Sequence, residues 1–157
     1  MITIDWAVRP IITDADHPAL HSTCVPVEQW DGNVRDLVHE MIDAARRSPV
    51  RAISLAAPQI GECVRVIVYT RNDRWRALIN PELRKTFGGE EELPEECLSL
   101  PGRSILRKRW LSVTVTGRDE RGRPVRETVH GWPARAMQHE LEHLDGLLLT
   151  DDLPASG

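Results

Sequence analysis

Gln138-His139-Glu140-Leu141-Glu142-His143 is the stretch that decides how the rest of the chain is read. Two histidines stand four positions apart, with a glutamate directly after the first. Positions i and i+4 share a face of an α-helix, so two imidazoles there can hold one metal ion. The glutamate can then reach a water on that ion. The flanks favour a helix: Ala134, Ala136, Met137, Leu141 and Leu144 are helix-compatible, Pro133 suits a first turn and Gly146 marks a stop. The same pattern also arises by chance in charge-rich helices, so a third protein ligand is needed to make a site. A histidine six residues after the second would mark one group of zinc proteases, but Leu149 stands there. A downstream glutamate would mark another, and none follows His143. Asp145, Asp151 and Asp152 read as turn or terminal residues, so the third ligand is expected upstream.

Length and composition narrow the setting. A chain of 157 residues fits one domain and can bury a proper core. Its 41% hydrophobic and 28% charged residues describe an ordinary globular protein. A net charge of -4 leaves no electrostatic footprint for nucleic acid or a membrane surface. Three cysteines, Cys24, Cys63 and Cys97, argue against a disulfide framework and for a reducing compartment. Met1 to Trp6 lacks the basic and apolar regions of a secretory signal, and no apolar run approaches a membrane span. The expectation is a cytoplasmic protein.

Along the chain, Ile11-Ile12-Thr13 reads as a short strand and Asp14 to Pro18 as a turn. Asp31 can start a helix running to about Arg47, because Val34, Leu37, Val38, Met41, Ile42 and Ala45 recur at helical spacing. Val64 to Thr70 and Arg76 to Asn80 fit strands. The acids Glu90, Glu91, Glu92, Glu95 and Glu96 read as a solvated loop. Cys97 follows them, before Leu98-Ser99-Leu100-Pro101-Gly102. A cysteine among acids and turn residues reads as an accessible thiol and a candidate ligand, ahead of Cys24 and Cys63. Leu111 to Thr116 and Val125 to Val129 form a hairpin across the turn Asp119 to Pro124. One α+β domain spanning 1–157 is the economical reading.

Leu55-Ala56-Ala57-Pro58-Gln59, Glu95-Glu96-Cys97-Leu98-Ser99 and Gln138 to His143, in that order, resemble the three motifs of the peptide deformylases, GxGxAAPQ, EGCxS and QHExDH. The resemblance covers nearly the whole chain, including Arg9-Pro10-Ile11-Ile12, the long first helix and the hairpin. It implies antiparallel sheets around a central metal-binding helix. It implies that Cys97, His139 and His143 bind one divalent metal, commonly ferrous iron, with zinc or nickel also binding. The implied activity is hydrolysis of an N-formyl group, releasing formate. Glu140 then carries the proton, while the Gln59 side chain and the Leu98 backbone N–H hold the oxyanion. Ile53, Ser54, Glu95 and Glu96 are the implied substrate contacts.

The chain departs from the pattern in places. Ala52 and Ser54 replace the two glycines of the first motif, Glu96 the glycine of the second, and Glu142 the aspartate of the third. Glycine permits close backbone approach, and the family's substrate adds as a strand in this region, so the departures bear on substrate rather than chemistry. The expected substrate is an N-formylmethionyl nascent peptide. The alternatives are another N-formyl or small amide substrate, or a metal-stabilised binding module without catalysis. Trp132 and Met137 are candidate pocket residues with core packing as the other reading, and Ser99 either caps its turn or touches substrate. Some relatives dock on the ribosome through a longer C-terminal helix; this chain ends soon after Leu153, so the ribosome is only an implied partner.

Overall fold

The structure, a computed structural model, describes residues 9–151. The Met1 to Trp6 stretch and the tail around Leu153 lie outside the described residues. The elements are α1 (Gly32–Arg46), β1 (Ser54–Ala56), β2 (Val66–Arg71), β3 (Arg74–Glu96), β4 (Ser104–Arg118), β5 (Pro124–His130) and α2 (Trp132–Leu144). The strands form one five-stranded antiparallel sheet in the order β1-β2-β3-β4-β5, rather than several sheets. No helix among the described residues is long and apolar enough to cross a membrane.

The first helix follows its sequence. The Asp31 side chain accepts the Asn33 N–H at 2.9 Å and caps the start. Val34, Val38, Met41, Ala44 and Ala45 are buried on one face. That face packs on Leu55, Val66, Val68, Ala77 and Ile79. The intervening residues Ala56, Ile67, Tyr69 and Leu78 face the other way, toward Ala134, Met137 and Leu144 of α2. The strands' period of two thus feeds a helix on each face. This is why Val66 to Tyr69 is apolar without interruption.

Two local expectations change. Ile11 to Thr13 is not a strand; the Ile12 N–H donates to the Gln59 carbonyl at 2.7 Å, and Ile11 and Ile12 pack against the core. The acid-rich stretch is not a loop either. Glu90 to Glu96 is the outer half of β3, with Glu91 opposite Arg109 and Glu92 opposite Lys108 on β4. Its ladder with β4, rather than any apolar alternation of its own, makes this stretch a strand.

β3 and β4 form one long hairpin whose tip, residues 97–103, carries Cys97. From Ile79 to Glu96 β3 uses 17 steps, while β4 uses 14 from Arg118 to Ser104. The three surplus residues sit at three bulges on β3, between Ile79 and Glu82, Leu83 and Lys85, and Phe87 and Glu90. Bulges bend a strand and increase its twist. Gly88 and Gly89 occupy the third, with φ of 83° and 85°. Gln138 of α2 binds the neighbouring backbone of β4, accepting the Trp110 N–H at 3.0 Å and donating to its carbonyl at 2.9 Å. The bend and this clasp bring the hairpin tip over the helix.

Candidate active site

α2 starts at Gly131 (φ 64°) with Pro133 in its first turn, and Gly146 (φ 77°) follows its end. A Cβ on Gly146 would lie 2.9 Å from the His21 carbonyl, so the chain can close against the helix end only with glycine there. One turn of α2 places His139 Nε2 3.1 Å from His143 Nε2. The hairpin tip places Cys97 Sγ 3.3 Å from His143 Nε2. All three donor atoms lie within 4.8 Å of one another. Cys97 is buried rather than accessible, because the tip packs Leu100 against Leu20, Leu148 and Leu149.

The surroundings suit a cation. Burial opposes a charge on His139, but hydrogen bonds to Cys97 and Glu95 and the charge of Glu140 outweigh it and raise its pKa to about 10. Burial, with His139 and Arg109 nearby, lowers His143 well below its ordinary value, so its ring is neutral and able to donate a lone pair. One sulfur and two imidazole nitrogens converging at such distances in a site favouring positive charge fit one divalent metal.

A charged layer backs this set. Glu95 takes two hydrogen bonds from Arg109, at 2.8 and 2.9 Å, pairs with the Arg135 guanidinium at 2.9 Å, and faces His139 Nδ1 at 3.4 Å. Burial pushes the Glu95 carboxyl up, but His139 and Arg109 outweigh it and hold it down at about 2. Arg109 also reaches Glu142, joining the hairpin to α2. A carboxylate on the far nitrogen fixes an imidazole's orientation and tautomer. The sequence reading missed Arg109 and Arg135. Within Arg107-Lys108-Arg109 nothing distinguishes a buried arginine from a solvated one.

The other expected residues gather around the ligands. Gln59 is buried, and its Oε1 accepts the Ala56 N–H at 3.0 Å. This bond settles the amide's direction, so Nε2 donates toward Ser99 Oγ at 3.3 Å and lies 3.8 Å from Cys97 Sγ. Ser99 is therefore a buried partner of Gln59. Glu140 is buried, and burial raises its carboxyl to about 7 against the pull of His139 and the Ser54 side chain. Its Oε2 has no hydrogen-bond partner among the described residues. A cavity of about 530 Å³ opens from here, bordered by Ile53, Ser54, Glu96, Leu98, His139 and Glu140. Trp132 borders it and is 58% exposed, whereas Met137 lies in the core under the sheet. Such an arrangement can activate a water, hold a developing oxyanion and admit an extended ligand.

Comparison with known proteins agrees with this geometry. The family model described as polypeptide deformylase matches residues 8–157. The peptide deformylase of Dictyoglomus thermophilum is 38% identical over 134 residues, covering 85% of this chain and 86% of that protein. A crystal structure of a peptide deformylase from Legionella pneumophila superposes with a TM-score of 0.86 at 34% identity, covering 95% of this chain and 88% of the other. One from Synechococcus elongatus, in complex with actinonin, gives 0.84 at 33% identity, covering 91% and 78%. A family match over residues 8–157, with relatives above 30% identity along most of the chain, means that this chain belongs to the polypeptide deformylase family.

Proposed function

We propose that this enzyme, acting as one catalytic domain over 1–157, removes the formyl group from N-formylmethionyl peptides and releases formate. The observation that carries this reading is the convergence of Cys97, His139 and His143 beside a buried carboxyl, at the inner end of an open cavity. A divalent cation held by these three residues would supply the Lewis acidity that makes a water nucleophilic near neutral pH. Ferrous iron is the cation we assign, with zinc or nickel as chemical substitutes; the donor set suits all three.

The chain's own groups do the rest. Glu140 takes a proton from the attacking water; a pKa near neutrality suits both accepting and returning it. As the formyl carbon becomes tetrahedral, Gln59 Nε2 donates to its oxyanion, joined by the Leu98 backbone N–H. The amide direction of Gln59 is already fixed by Ala56, so little reorganisation is needed. The C–N bond then breaks, Glu140 delivers its proton to the leaving amine, and formate departs. Ser54, lying against Glu140, and Ile53 and Glu96, at the cavity border, are assigned to substrate. Glu95 borders the same cavity, but its oxygens are engaged by Arg109, Arg135 and His139, so we assign it to holding His139. Nascent chains in the cytoplasm, beside the ribosome, are the proposed source of substrate.

Formate release from formyl-Met-Ala-Ser by ferrous-loaded protein tests the reading. Rapid release is expected. Release from other formyl compounds alone would move the substrate, and full cation occupancy without hydrolysis of any formyl amide would overturn the activity.

A further inference from the structure

The charged groups bordering the cavity divide into engaged and unengaged sets. Glu95 and Arg135 bind each other at 2.9 Å deep in the site. Arg9 is held by Glu40 at 3.2 Å and Glu62 at 2.5 Å. Arg47 and Arg51 also border the cavity, both exposed, and among the described residues neither has a carboxylate partner. Glu96 is likewise exposed and without an arginine partner among the described residues.

Their places along the cavity differ. Glu96 is next to the ligand Cys97, near the reacting end. Arg51 precedes Ser54 by three residues, and Ser54 lies against Glu140. Three residues span at most roughly 10 Å, and the bend at Ile53 shortens that reach. Arg47 follows the last turn of α1, still further from the ligands in sequence. An extended peptide with its formyl group at Glu140 carries its third residue roughly 10 Å away as well. A carboxylate on the substrate beyond its formyl-bearing residue has its free cationic partners at the cavity border in Arg47 and Arg51.

We propose that Arg51 and Arg47 are specificity-determining residues that read a carboxylate at the third residue of the substrate, whether an acidic side chain or a free C-terminus. This rests on the deformylase reading above. Exposed ion pairs are individually weak, so the preference is a matter of several-fold in KM, without a change in kcat, and it fades with salt.

The test uses the cation-loaded protein and amidated peptides formyl-Met-Ala-Glu, formyl-Met-Ala-Ser and formyl-Met-Ala-Lys, with formyl-Met-Ala-Ser as the free acid separating terminus from side chain. The Glu peptide is expected to show a KM roughly 5-fold below the Lys peptide at low salt. The double variant Arg47→Gln/Arg51→Gln should abolish the difference, and Arg51→Lys should keep part of it. Equal KM values for the Glu and Lys peptides, or a preference that survives the double variant, would overturn the proposal. Failure of the neutral peptide to react would instead count against the deformylase reading. In that event the charge preference is still decided by calorimetric binding of Met-Ala-Glu and Met-Ala-Lys amides, where equal affinities sink it.

Discussion

The three candidate metal ligands arrive by two routes. His139 and His143 come from one turn of α2, where helical geometry alone brings their Nε2 atoms to 3.1 Å. Cys97 comes from the tip of a bent hairpin and meets them across 46 residues of sequence. The first route is local and follows whenever the helix forms. The second depends on three bulges, the Gln138 clasp and the Arg109 bridge between Glu95 and Glu142 all being in place. The helix supplies donors; the hairpin decides whether they become a site.

Removing a helix ligand should give the largest effect. His143→Ala is expected to drop activity to background, with metal content by elemental analysis well below one ion per chain and helicity by circular dichroism retained. Next, Glu140→Gln should keep the ion and lose roughly 10²–10⁴-fold in kcat, since only the proton carrier is gone. Near wild-type turnover in ion-loaded Glu140→Gln would remove that role. The hairpin route is tested by deleting Gly88. Deletion removes the extra residue of the third bulge, and with it the bend there, while the pairing of Glu90 to Glu96 with β4 is kept. Metal affinity should fall at least about 10-fold while α2 still forms, and unchanged affinity would mean the tip is placed by something other than the bulges. The smallest effect is reserved for the supporting layer. Glu95→Gln should weaken metal binding about 10-fold.

Glu95 also makes a pH prediction. Its folded carboxyl is held down at about 2, below the ordinary 4.5, by His139 and Arg109 against the opposing effect of burial. A lowered acid contributes stability that is present above its unfolded value and lost as pH falls toward its folded one. The gap in melting temperature between wild type and Glu95→Gln should thus be full near neutrality and shrink between about pH 4.5 and about pH 2. A gap independent of pH would mean that the charge of Glu95 is not what stabilises.

What was legible in the sequence divides along the same line. α1 and α2 announce themselves through apolar spacing, the Asp31 cap and Pro133, and the β4–β5 hairpin through alternation around Asp119 to Pro124. The outer half of β3 reads as a loop because its exposed glutamates carry no alternation; the strand it pairs with, β4, is a different segment. Cys97 was expected to be accessible for the same reason, since the leucines that cover it come from residues 20, 100, 148 and 149. Arg109 was invisible because burial of an arginine depends on partners, here Glu95 and Glu142, that spacing does not reveal.

The three surplus residues of β3 set which of its side chains meet the helix. Leu78 and the pair Glu95 and Cys97 all face α2, although one number is even and the other two are odd. β4 keeps strict parity: Arg109, Val113 and Val115 face the same helix. Only an odd number of insertions in β3 can reconcile the two strands, so one or three would serve, whereas two or four would present Pro94 and Glu96 to the imidazoles. Adding or removing a residue along this arm keeps the sulfur in play only where a bulge absorbs the change and the pairing beyond it is preserved.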